Sequence, residues 1–255
     1  MSRPRIIIAL PAYNEALNVG ALLDTFESVL GMALGYGFDR LYVVVDDGSV
    51  DQTRNILKDY AKRIPLKIVV HEKNQGLGPT IRDALRKATD EAGPGDIIIT
   101  MDADNTQPAG LIPAMVQKVL EGHDLVIASR FRDGARVVGL SWLRRFTSVG
   151  ASMMMRTVFP MKGTRDYTCG FRAYRADLLR RAFAEYGDKF VDQQGFQCMS
   201  DILIKLRRFD PIVGEVPMIL RYDFKKGSSS MKVGRTIINT LRLMLVRRLG
   251  FMVSR

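Results

Sequence analysis

Cysteine, histidine and tryptophan are scarce in this 255-residue sequence, which has two, two and one of them. Cys169 and Cys198 belong to no CxxC pair and lie near no histidine cluster, so the sequence predicts neither a disulfide framework nor a zinc site. We expect both to be partly buried free thiols. His71 and His123 fall at a predicted strand end and at a helix-to-strand turn, where we expect structural roles for both.

Long apolar runs are also absent, because charged residues interrupt every one well short of the roughly 18–20 residues that a membrane-spanning helix needs. The apolar run near the N-terminus is too short for a signal peptide, and no small-residue cleavage site follows it. The sequence therefore predicts a cytoplasmic chain without a transmembrane helix. Its composition, 47% apolar and 25% charged, is that of a folded protein and excludes collagen-like and disordered classes.

Acidic residues are rare in the C-terminal half, and the whole chain has a formal net charge of +11. Twelve Lys/Arg and three acidic residues lie between Arg130 and Arg181, and residues 225–255 hold eight Lys/Arg and no acidic residue. This asymmetry favours nucleic acid, an anionic membrane surface or a phosphorylated substrate as the partner of the basic half. The sequence lacks the aromatic RNA-binding motif, zinc-finger spacing and helix-turn-helix signal of nucleic-acid readers.

Short apolar runs alternate with stretches of helical periodicity in the N-terminal half. The predicted strands are 6–10, 41–45, 66–70, 96–101 and 125–129, and the clearest predicted helices are 16–30 and 53–64. The basic half adds a Met-rich stretch at 140–159, a helix at 196–208 and a strand at 212–220. The alternation predicts an α/β fold with a parallel or mixed sheet covered by helices, in one domain, with the functional site at the carboxyl ends of the strands.

Polar motifs follow the first two predicted strands. The first strand runs into Pro-Ala-Tyr-Asn-Glu at 11–15, where Asn14 or Glu15 can cap the next helix. The second ends in Val-Asp-Asp-Gly-Ser at 45–49. Two adjacent acids at the end of an apolar strand suggest that a ligand hydroxyl or base is read there.

The glycines at 76 and 78 stand in Asn-Gln-Gly-Leu-Gly-Pro-Thr, residues 74–80. Position 81 is isoleucine where a third glycine is needed, and no GK[ST] follows, so the segment is neither a dinucleotide fingerprint nor a P-loop. We expect a turn that opens a helix carrying Arg82, whose guanidinium can meet a phosphate.

The fourth predicted strand ends in Asp102-Ala103-Asp104. In extended backbone, residues i and i+2 point to the same side, so we expect the two carboxylates to converge on a hard cation. Mg²⁺ or Mn²⁺ held by one or two carboxylates keeps positions open for a diphosphate. A DxD triplet alone is a weak indication of a cation site, and its position directly after a predicted strand strengthens that indication.

These four motifs, in this order on successive strand ends, resemble the family 2 inverting glycosyltransferases of the nucleotide-diphospho-sugar transferase (GT-A) fold. Ser129-Arg130-Phe131, residues 142–148 and Cys169-Gly170-Phe171-Arg172 resemble one branch of that family, the polyprenyl-phosphate sugar synthases typified by dolichol-phosphate mannose synthase. The resemblance covers about residues 5–235. It implies a single domain over 1–235, with a nucleotide-sugar and metal half at 1–129 and an acceptor half at 130–235.

The resemblance also implies site residues. Those expected at the nucleotide sugar are Pro11, Tyr13, Glu15, Asp47, Asn74, Gly76, Arg82, Asp102 and Ala103, and the expected metal ligands are Asp102 and Asp104. Those expected at the acceptor phosphate are Arg130, Arg144, Ser148, Arg172 and Lys232. Asp104 and Arg130 are expected to act in catalysis. The planar fork of arginine suits a phosphate dianion.

The sequence departs from the family pattern in two places. The glutamine expected two places after the DxD is Thr106, with Gln107 adjacent, which puts a third metal-side ligand in doubt. The C-terminal Gly-x-Ser-Lys is Gly-Ser-Ser-Ser at 227–230, with the lysine displaced to Lys232, and Phe224 replaces an arginine. Lysines 225 and 226 lie beside it, so the phosphate clamp can be rebuilt from lysines.

A polyprenyl phosphate is already a nucleophile and needs little help from a general base. We therefore expect Asp201, an acidic family position, to be structural or orienting rather than a base. A bound metal would act as a Lewis acid on the leaving diphosphate. Attack from the opposite face would invert the anomeric centre.

Residues 236–255 are predicted as a basic amphipathic helix that begins near residue 233. Such a helix can lie on an anionic bilayer surface, or it can pack on the protein itself or on a partner such as a small membrane subunit.

The leading hypothesis is metal-dependent transfer of a hexose, mannose foremost, from GDP-mannose to a polyprenyl (dolichyl) phosphate at the cytoplasmic membrane face. One alternative is a family 2 enzyme with UDP-glucose or a UDP-N-acetylhexosamine as donor, or with a soluble or polysaccharide acceptor. A remote alternative is a non-catalytic nucleic-acid-binding protein, although no nucleic-acid partner is expected.

Overall fold

The computed structural model of the chain describes residues 4–33, 38–139, 142–221 and 233–253. Side chains are described for the same ranges without residues 32–33, 142–148, 233, 235 and 250–253. The strands are β1 (Arg5–Ala12), β2 (Asp39–Asp46), β3 (Leu66–Val70), β4 (Ile97–Thr100), β5 (Leu125–Ser129), β6 (Arg136–Val138), β7 (Arg172–Arg175), β8 (Val213–Pro217) and β9 (Ile219–Arg221). The α-helices are α1 (Val19–Ala33), α2 (Thr53–Tyr60), α3 (Leu77–Glu91), α4 (Ile112–Leu120), α5 (Trp142–Val158), α6 (Ala176–Tyr186), α7 (Cys198–Leu206) and α8 (Val233–Val253).

Seven strands form one mixed sheet in the order β3-β2-β1-β4-β7-β5-β8. All of them run parallel except β7, which pairs antiparallel with both β4 and β5. The central strands are runs of isoleucine and valine, such as Ile6–Ile8 and Val43–Val45, and they are almost completely buried. Continuous aliphatic strands are stable only where both faces of a sheet are covered, as they are in α/β proteins.

Helices cover the sheet: α3 packs on β1 and β2, and α4 packs on β5 and β7. The remaining pair of strands, β6 and β9, forms a small parallel sheet of its own. Helices α5 and α8 pack against each other. None of the helices in the described ranges is both long and apolar enough to span a bilayer.

The predicted α/β class is confirmed, and β3 and β5 have the predicted bounds. The predicted strand 212–220 is wrong as a single element, because it divides into β8 and β9, which belong to different sheets. The break falls at Pro217, which has no N–H to donate, and at Met218, whose N–H donates to Ser129 O while its own carbonyl accepts from Arg136 N.

The predicted helix 16–30 begins later, at Val19. Its first turn is closed by Glu15, whose carbonyl accepts hydrogen bonds from the amides of Asn18 and Val19. Glu15 thus supports the helix start through its backbone carbonyl, and its side-chain Oε2 also accepts from Asn18 Nδ2 at 2.7 Å. Helix α2 ends at Tyr60, four residues before the predicted end, and continues as a turn.

The parallel strands β1, β2, β4 and β5 end at one edge of the sheet, and the antiparallel β7 begins there. The polar turns after these strands, and the segment before β7, therefore share that edge. Here we call this the polar edge of the sheet. It is where an open α/β sheet presents its ligand site.

Candidate active site at the polar edge of the sheet

The turn after β1 is fastened to the turn after β2. Asn14 has a left-handed backbone (φ 55°), donates its N–H to Ser49 Oγ at 2.9 Å and accepts from the Val50 amide at 2.9 Å. The Glu15 amide donates to Thr53 Oγ1 at 2.8 Å. Two predicted nucleotide-sugar residues thus sit on a rigid turn: Pro11 is buried at the end of β1, and Tyr13 is exposed at the edge.

Asp46 and Asp47 at the end of β2 are both buried and both hydrogen-bonded. Asp46 accepts from the Ser49 amide at 3.0 Å and from Arg54 Nε at 2.6 Å. It therefore holds its own turn and the start of α2. Asp46, one of the two acids predicted to bind a ligand, therefore has a structural role.

Asp47 organises the turn after β3. Its Oδ1 accepts from the Gln75 amide at 2.8 Å, and its Oδ2 accepts from the Gly76 amide at 2.9 Å. His71 Nδ1 lies 2.7 Å from Asp47 Oδ1, and its Nε2 lies 3.0 Å from Asp83 Oδ2. His71 is therefore a buried link between β2 and α3, which agrees with its expected structural role.

The turn at residues 74–78, which we call the donor turn, opens α3 as predicted. Gly76 has a positive φ of 94°, and a Cβ on Gly78 would lie 1.6 Å from the carbonyl oxygen of Gln193. Backbone geometry therefore requires glycine at both positions. Arg82, on α3, donates Nε to Asp83 at 2.8 Å, and this hydrogen bond raises the pKa of Arg82.

The DxD segment departs from the extended form that the sequence argument used. Strand β4 ends at Thr100, and Asp102–Asp104 lie in a turn in which Asn105 has a φ of 59°. The alternation of extended backbone therefore does not set the direction of the two carboxylates. The turn sets it instead, and it nearly buries Asp104.

Gln107 and Thr106 hold the two carboxylates. Gln107 Nε2 donates to Asp102 Oδ2 at 2.7 Å, and its Oε1 accepts from the Asp102 amide at 3.0 Å. Thr106 Oγ1 donates to Asp104 Oδ1 at 2.7 Å. The displaced glutamine therefore reaches Asp102 from the neighbouring position, and Thr106 orients the other acid.

The donor set of this turn fits a hard divalent cation. Among the described residues no group of three or more His, Cys, Asp or Glu is placed to hold a metal ion. The carboxylates of this turn are the two of Asp102 and Asp104. A site with two carboxylates suits Mg²⁺ or Mn²⁺, which keep positions for diphosphate oxygens and water.

Arg130, directly after β5, is clamped by the buried Asp166. Its Nε and one terminal nitrogen donate to the two oxygens of Asp166 at 2.8 and 2.7 Å, and its amide donates at 3.0 Å. The same terminal nitrogen also donates to Thr168 Oγ1. Only 13% of the Arg130 side chain is exposed. The guanidinium is thus held in one orientation at the polar edge.

Burial alone would raise the pKa of Asp166, but the charge of Arg130 and the hydrogen bonds to it outweigh burial and lower that pKa. Glu215, on β8, supports the arrangement because its Oε1 accepts from the amides of Arg165 and Asp166. Sequence reasoning missed both acids. The signal for Asp166 was available, since it is one of only three acids between Arg130 and Arg181.

Arg172 corrects the predicted set of phosphate ligands. Its side chain is completely buried, and its terminal nitrogens donate to the carbonyls of Met199 at 2.8 Å and Tyr167 at 3.0 Å. A guanidinium in that position ties the start of β7 to α7 and faces the core, so the expected contact with an acceptor phosphate does not fit. In the same motif, the Gly170 carbonyl accepts from Thr100 Oγ1 at 2.7 Å, and a Cβ on Gly170 would lie 3.8 Å from Asp102 Oδ1.

Other predicted residues lie partly or wholly outside the description. Arg144 and Ser148 are on α5, but their side chains are not among the described ones. Lys232 and residues 224–230 lie outside the described residues. Asn74 is exposed in the donor turn, and Ala103 is buried between the two acids of the DxD turn.

Two further predictions concern buried groups. Cys169 and Cys198 are free, buried thiols as predicted, and burial raises the pKa of each to about 12. Asp201, on α7, is 1% exposed and accepts from Lys205 and Arg247. Those ion pairs fit the structural role expected for Asp201.

A model of glycosyl transferase family 2 matches residues 7–183. The chain belongs to this family. The match includes every motif at the polar edge, from the turn after β1 to the start of β7. The chain is accordingly a glycosyltransferase, and the alternative of a non-catalytic nucleic-acid-binding protein is not supported.

Two similar proteins are named as mannosyltransferases. The chain is 28% identical over 239 residues to a dolichol-phosphate mannosyltransferase of Pyrococcus furiosus. That alignment covers 93% of this chain and 62% of the relative. It is 27% identical over 248 residues to an undecaprenyl-phosphate mannosyltransferase of Micrococcus luteus, covering 96% of both. This glycosyltransferase therefore spans less than two thirds of the first relative and nearly all of the second.

Solved structures share the fold. A glucosyl-3-phosphoglycerate synthase of Mycobacterium tuberculosis, crystallised with Mn²⁺, uridine diphosphate and glucosyl-3-phosphoglycerate, superposes with a TM-score of 0.65 at 21% identity. The alignment covers 94% of this chain and 80% of that chain. The predicted GT-A fold of the glycosyltransferase is confirmed by this likeness.

Proposed function

We propose that this family 2 glycosyltransferase moves a hexose, mannose foremost, from a nucleotide-diphospho-sugar to a polyprenyl phosphate. One observation carries the proposal. An acidic turn suited to a divalent cation follows β4, and a clamped arginine follows β5, with only β7 between those two strands. A donor diphosphate bound at the acidic turn through a cation would lie close to an acceptor phosphate bound at Arg130.

On the donor side, Asp102 and Asp104 would hold Mg²⁺ or Mn²⁺. A bound ion of this kind supplies Lewis-acid neutralisation of the charge that develops on a leaving diphosphate. The protein's own part is to fix the two carboxylates, through Gln107 for Asp102 and Thr106 for Asp104. The Mycobacterium tuberculosis synthase, crystallised with Mn²⁺, supports a divalent ion in this fold.

For the donor itself, GDP-mannose leads because the Pyrococcus furiosus and Micrococcus luteus relatives are mannosyltransferases. The expected nucleotide-sugar residues are Pro11, Tyr13, Glu15, Asp47, Asn74, Gly76, Arg82, Asp102 and Ala103. Of these, Tyr13 and Asn74 are exposed at the polar edge. Asp47 contributes by ordering the donor turn, since both of its oxygens accept hydrogen bonds from that turn.

On the acceptor side, Arg130 together with Arg144, Ser148 and Lys232 would bind the phosphate. Both mannosyltransferase relatives carry a polyprenyl phosphate in their names. The basic half of the chain suits such an acceptor, because a phosphate monoester is close to a dianion at neutral pH. The oxygen of that dianion would attack the anomeric carbon from the face opposite the leaving diphosphate and invert it.

The lipid part of the acceptor requires a membrane nearby. Helices α5 and α8, which pack together, expose apolar side chains that include Met153, Ile238, Leu245 and Leu249. We assign this pair of helices to contact with an anionic membrane surface at its cytoplasmic face, or with a small membrane subunit. On α8, Leu243 and Met244 are buried, so one face packs on the protein and the other faces outward.

The decisive assay offers labelled GDP-mannose and UDP-glucose, in separate reactions, with a short polyprenyl phosphate, with and without Mn²⁺. We expect a lipid-soluble, labelled sugar phosphate from GDP-mannose only when the metal is present. Formation of product from UDP-glucose alone would change the donor. No lipid product with either donor, while nucleotide still binds, would contradict the polyprenyl acceptor and favour a soluble one.

Replacing Asp104 by asparagine should abolish transfer, because the amide removes one of the two metal-binding charges while the Thr106 contact is preserved in shape. Steady-state rates at increasing Mg²⁺ or Mn²⁺ measure the effect. Asp133→Asn is the matched control, since Asp133 is an exposed acid in the acceptor half. Full activity of Asp104→Asn at high metal concentration would contradict the metal assignment.

Replacing Arg144 by alanine should raise KM for the polyprenyl phosphate far more than KM for the donor, because a phosphate ligand acts on one substrate only. Arg156→Ala, which removes an exposed arginine from the same helix, controls for the loss of a positive charge. Equal changes in both KM values would argue against a phosphate-binding role for Arg144.

A further inference from the structure

A cluster of four charged residues fastens α8 to the rest of the protein. Arg247, on α8, donates to both oxygens of Asp201 at 2.7 and 2.9 Å and to both oxygens of Asp192 at 3.0 and 2.9 Å. Lys205 lies 2.9 Å from Asp201 and 3.2 Å from Asp192. The two acids and two bases balance in charge, and the site of Asp201 and Lys205 is buried.

Asp192 begins a loop, residues 192–195, that joins a helical turn to α7; we call it the strap loop. Burial alone would raise the pKa of Asp192, but hydrogen bonds from Gln193 and Arg247 and the charge of Lys205 lower it overall. Asp192 therefore stays ionised at neutral pH. The loop's first residue is thus anchored to α8 and α7 together.

The other end of the strap loop lies on the donor turn. The Gly78 amide donates to Gln194 O at 3.0 Å. The Gln193 carbonyl approaches Gly78 so closely that a Cβ would be 1.6 Å from it, and a Cβ on Gly76 would be 3.2 Å from Gln194 O. No side chain intervenes, so a displacement of the strap loop is felt directly by the backbone of the donor turn.

The donor turn is in its place because Gln75 and Gly76 donate their amides to Asp47. A continuous series of contacts therefore runs from α8 through Asp192 and the strap loop to the donor turn and Asp47. Every step is a hydrogen bond, an ion pair or a backbone contact too close for a Cβ. None of these steps involves the DxD turn or the Arg130–Asp166 pair.

We propose that Arg247 is a positioning residue for nucleotide-sugar binding: by holding the strap loop against the donor turn, it makes the affinity for the nucleotide depend on the seating of α8. The guanidinium suits this role because its planar fork donates to both oxygens of each carboxylate. The proposal rests on the proposed function only in requiring that the polar edge binds a nucleotide.

The test measures direct binding of GDP and of UDP, each with Mn²⁺, by calorimetric titration of the full chain. We compare Arg247→Ala, Arg247→Lys and Arg248→Ala, the last being an exposed neighbour on the same helix. We expect the nucleotide Kd to rise about threefold or more in Arg247→Ala, to recover in part in Arg247→Lys, and to stay within the wild-type error in Arg248→Ala.

A thermal melt of each variant separates positioning from simple support. If Arg247→Ala lowers the melting temperature while the nucleotide Kd is unchanged, Arg247 is only a structural staple and the proposal is overturned. If Arg247→Ala does not fold, Asp192→Asn replaces it, because that variant keeps the pairs of Asp201 with Lys205 and Arg247. An unchanged Kd in Asp192→Asn then overturns the proposal.

Failure of the proposed function gives a different pattern. A wild-type protein that binds nucleotide but makes no polyprenyl product would contradict the polyprenyl acceptor and leave the Kd comparison intact. A wild-type protein that binds neither nucleotide would overturn both proposals.

Discussion

At the scale of single residues, the best-defined feature after β5 is the Arg130–Asp166 ion pair. Asp166 is fully buried and accepts from Arg130 and from the amides of Thr168 and Cys169. A carboxylate with so many donors keeps its charge even without water. Its role is to hold the guanidinium in one orientation and to leave Arg130 at the polar edge.

Asp166→Asn should weaken acceptor use, because the amide cannot accept from Arg130 on both oxygens and the guanidinium loses its fixed direction. Removing one partner of a buried ion pair costs about 3–5 kcal/mol in general, so urea unfolding should show a clear loss of stability. Asp133→Asn is again the exposed control. A variant with wild-type stability and acceptor KM would refute the orienting role.

The pH dependence of this pair has a definite sign. Because the pKa of Asp166 is lowered in the folded protein, the pair's contribution to stability is fully present above the unfolded value of about 3.9. It is lost as pH falls below that value through the folded pKa. The stability difference between wild type and Asp166→Asn should thus be constant near neutral pH and shrink in strong acid.

At the scale of elements, two glycines of the donor turn allow it to start α3 and to pack against the strap loop. Gly76 needs its left-handed backbone to start α3, whereas Gly78 needs the missing Cβ to admit the strap loop. The sequence suggested a phosphate-binding loop and then excluded it for want of a third glycine. The structure explains Gly76 by its positive φ and Gly78 by the nearby Gln193 carbonyl.

Gly78→Ala should destabilise the protein strongly, since a methyl group cannot fit 1.6 Å from the Gln193 carbonyl and overpacking of this kind costs about 1–3 kcal/mol or more. Thermal and urea unfolding measure the loss. The control is Gly31→Ala in α1, where a Cβ meets nothing within 4 Å and alanine favours the helix. Equal melting temperatures for the two variants would contradict the close approach.

At the scale of the whole molecule, the charge is unevenly divided between the two halves of the chain. The acidic turns after β2 and β4 belong to the N-terminal half, whereas the basic half carries the exposed apolar residues of α5 and α8. Arg242 is exposed on α8 beside those apolar residues. An anionic lipid surface would complement both features at once.

Flotation with vesicles tests this arrangement. We expect binding to vesicles that contain anionic lipid, weaker binding to neutral vesicles, and a decrease with salt, since charge attraction is screened. Leu245→Gln should reduce binding several-fold because it removes an exposed leucine from the side of α8 that we assign to the membrane. Leu120→Gln, at the end of α4 and also exposed, should not. Equal binding of the two variants would contradict the assignment.

The features that the sequence by itself determined are local ones. Buried strands are read from their aliphatic runs, and β3 and β5 were placed to the residue; polar turns are read from the residues that follow each run. The ordered set of turns also indicated the family and hence the GT-A fold. Each of these signals is contained in a short window, because strand periodicity and turn chemistry depend on near neighbours.

The tertiary structure decided what depends on distant pairs. The Arg130–Asp166 clamp joins residues 36 positions apart, and Arg247 meets Asp192 across 55 positions. The burial of Arg172, the division of the last predicted strand into β8 and β9, and the approach of the strap loop to Gly78 are of the same kind. No periodicity records which loop will lie against which turn, because that is fixed only when the whole sheet and its helices pack together.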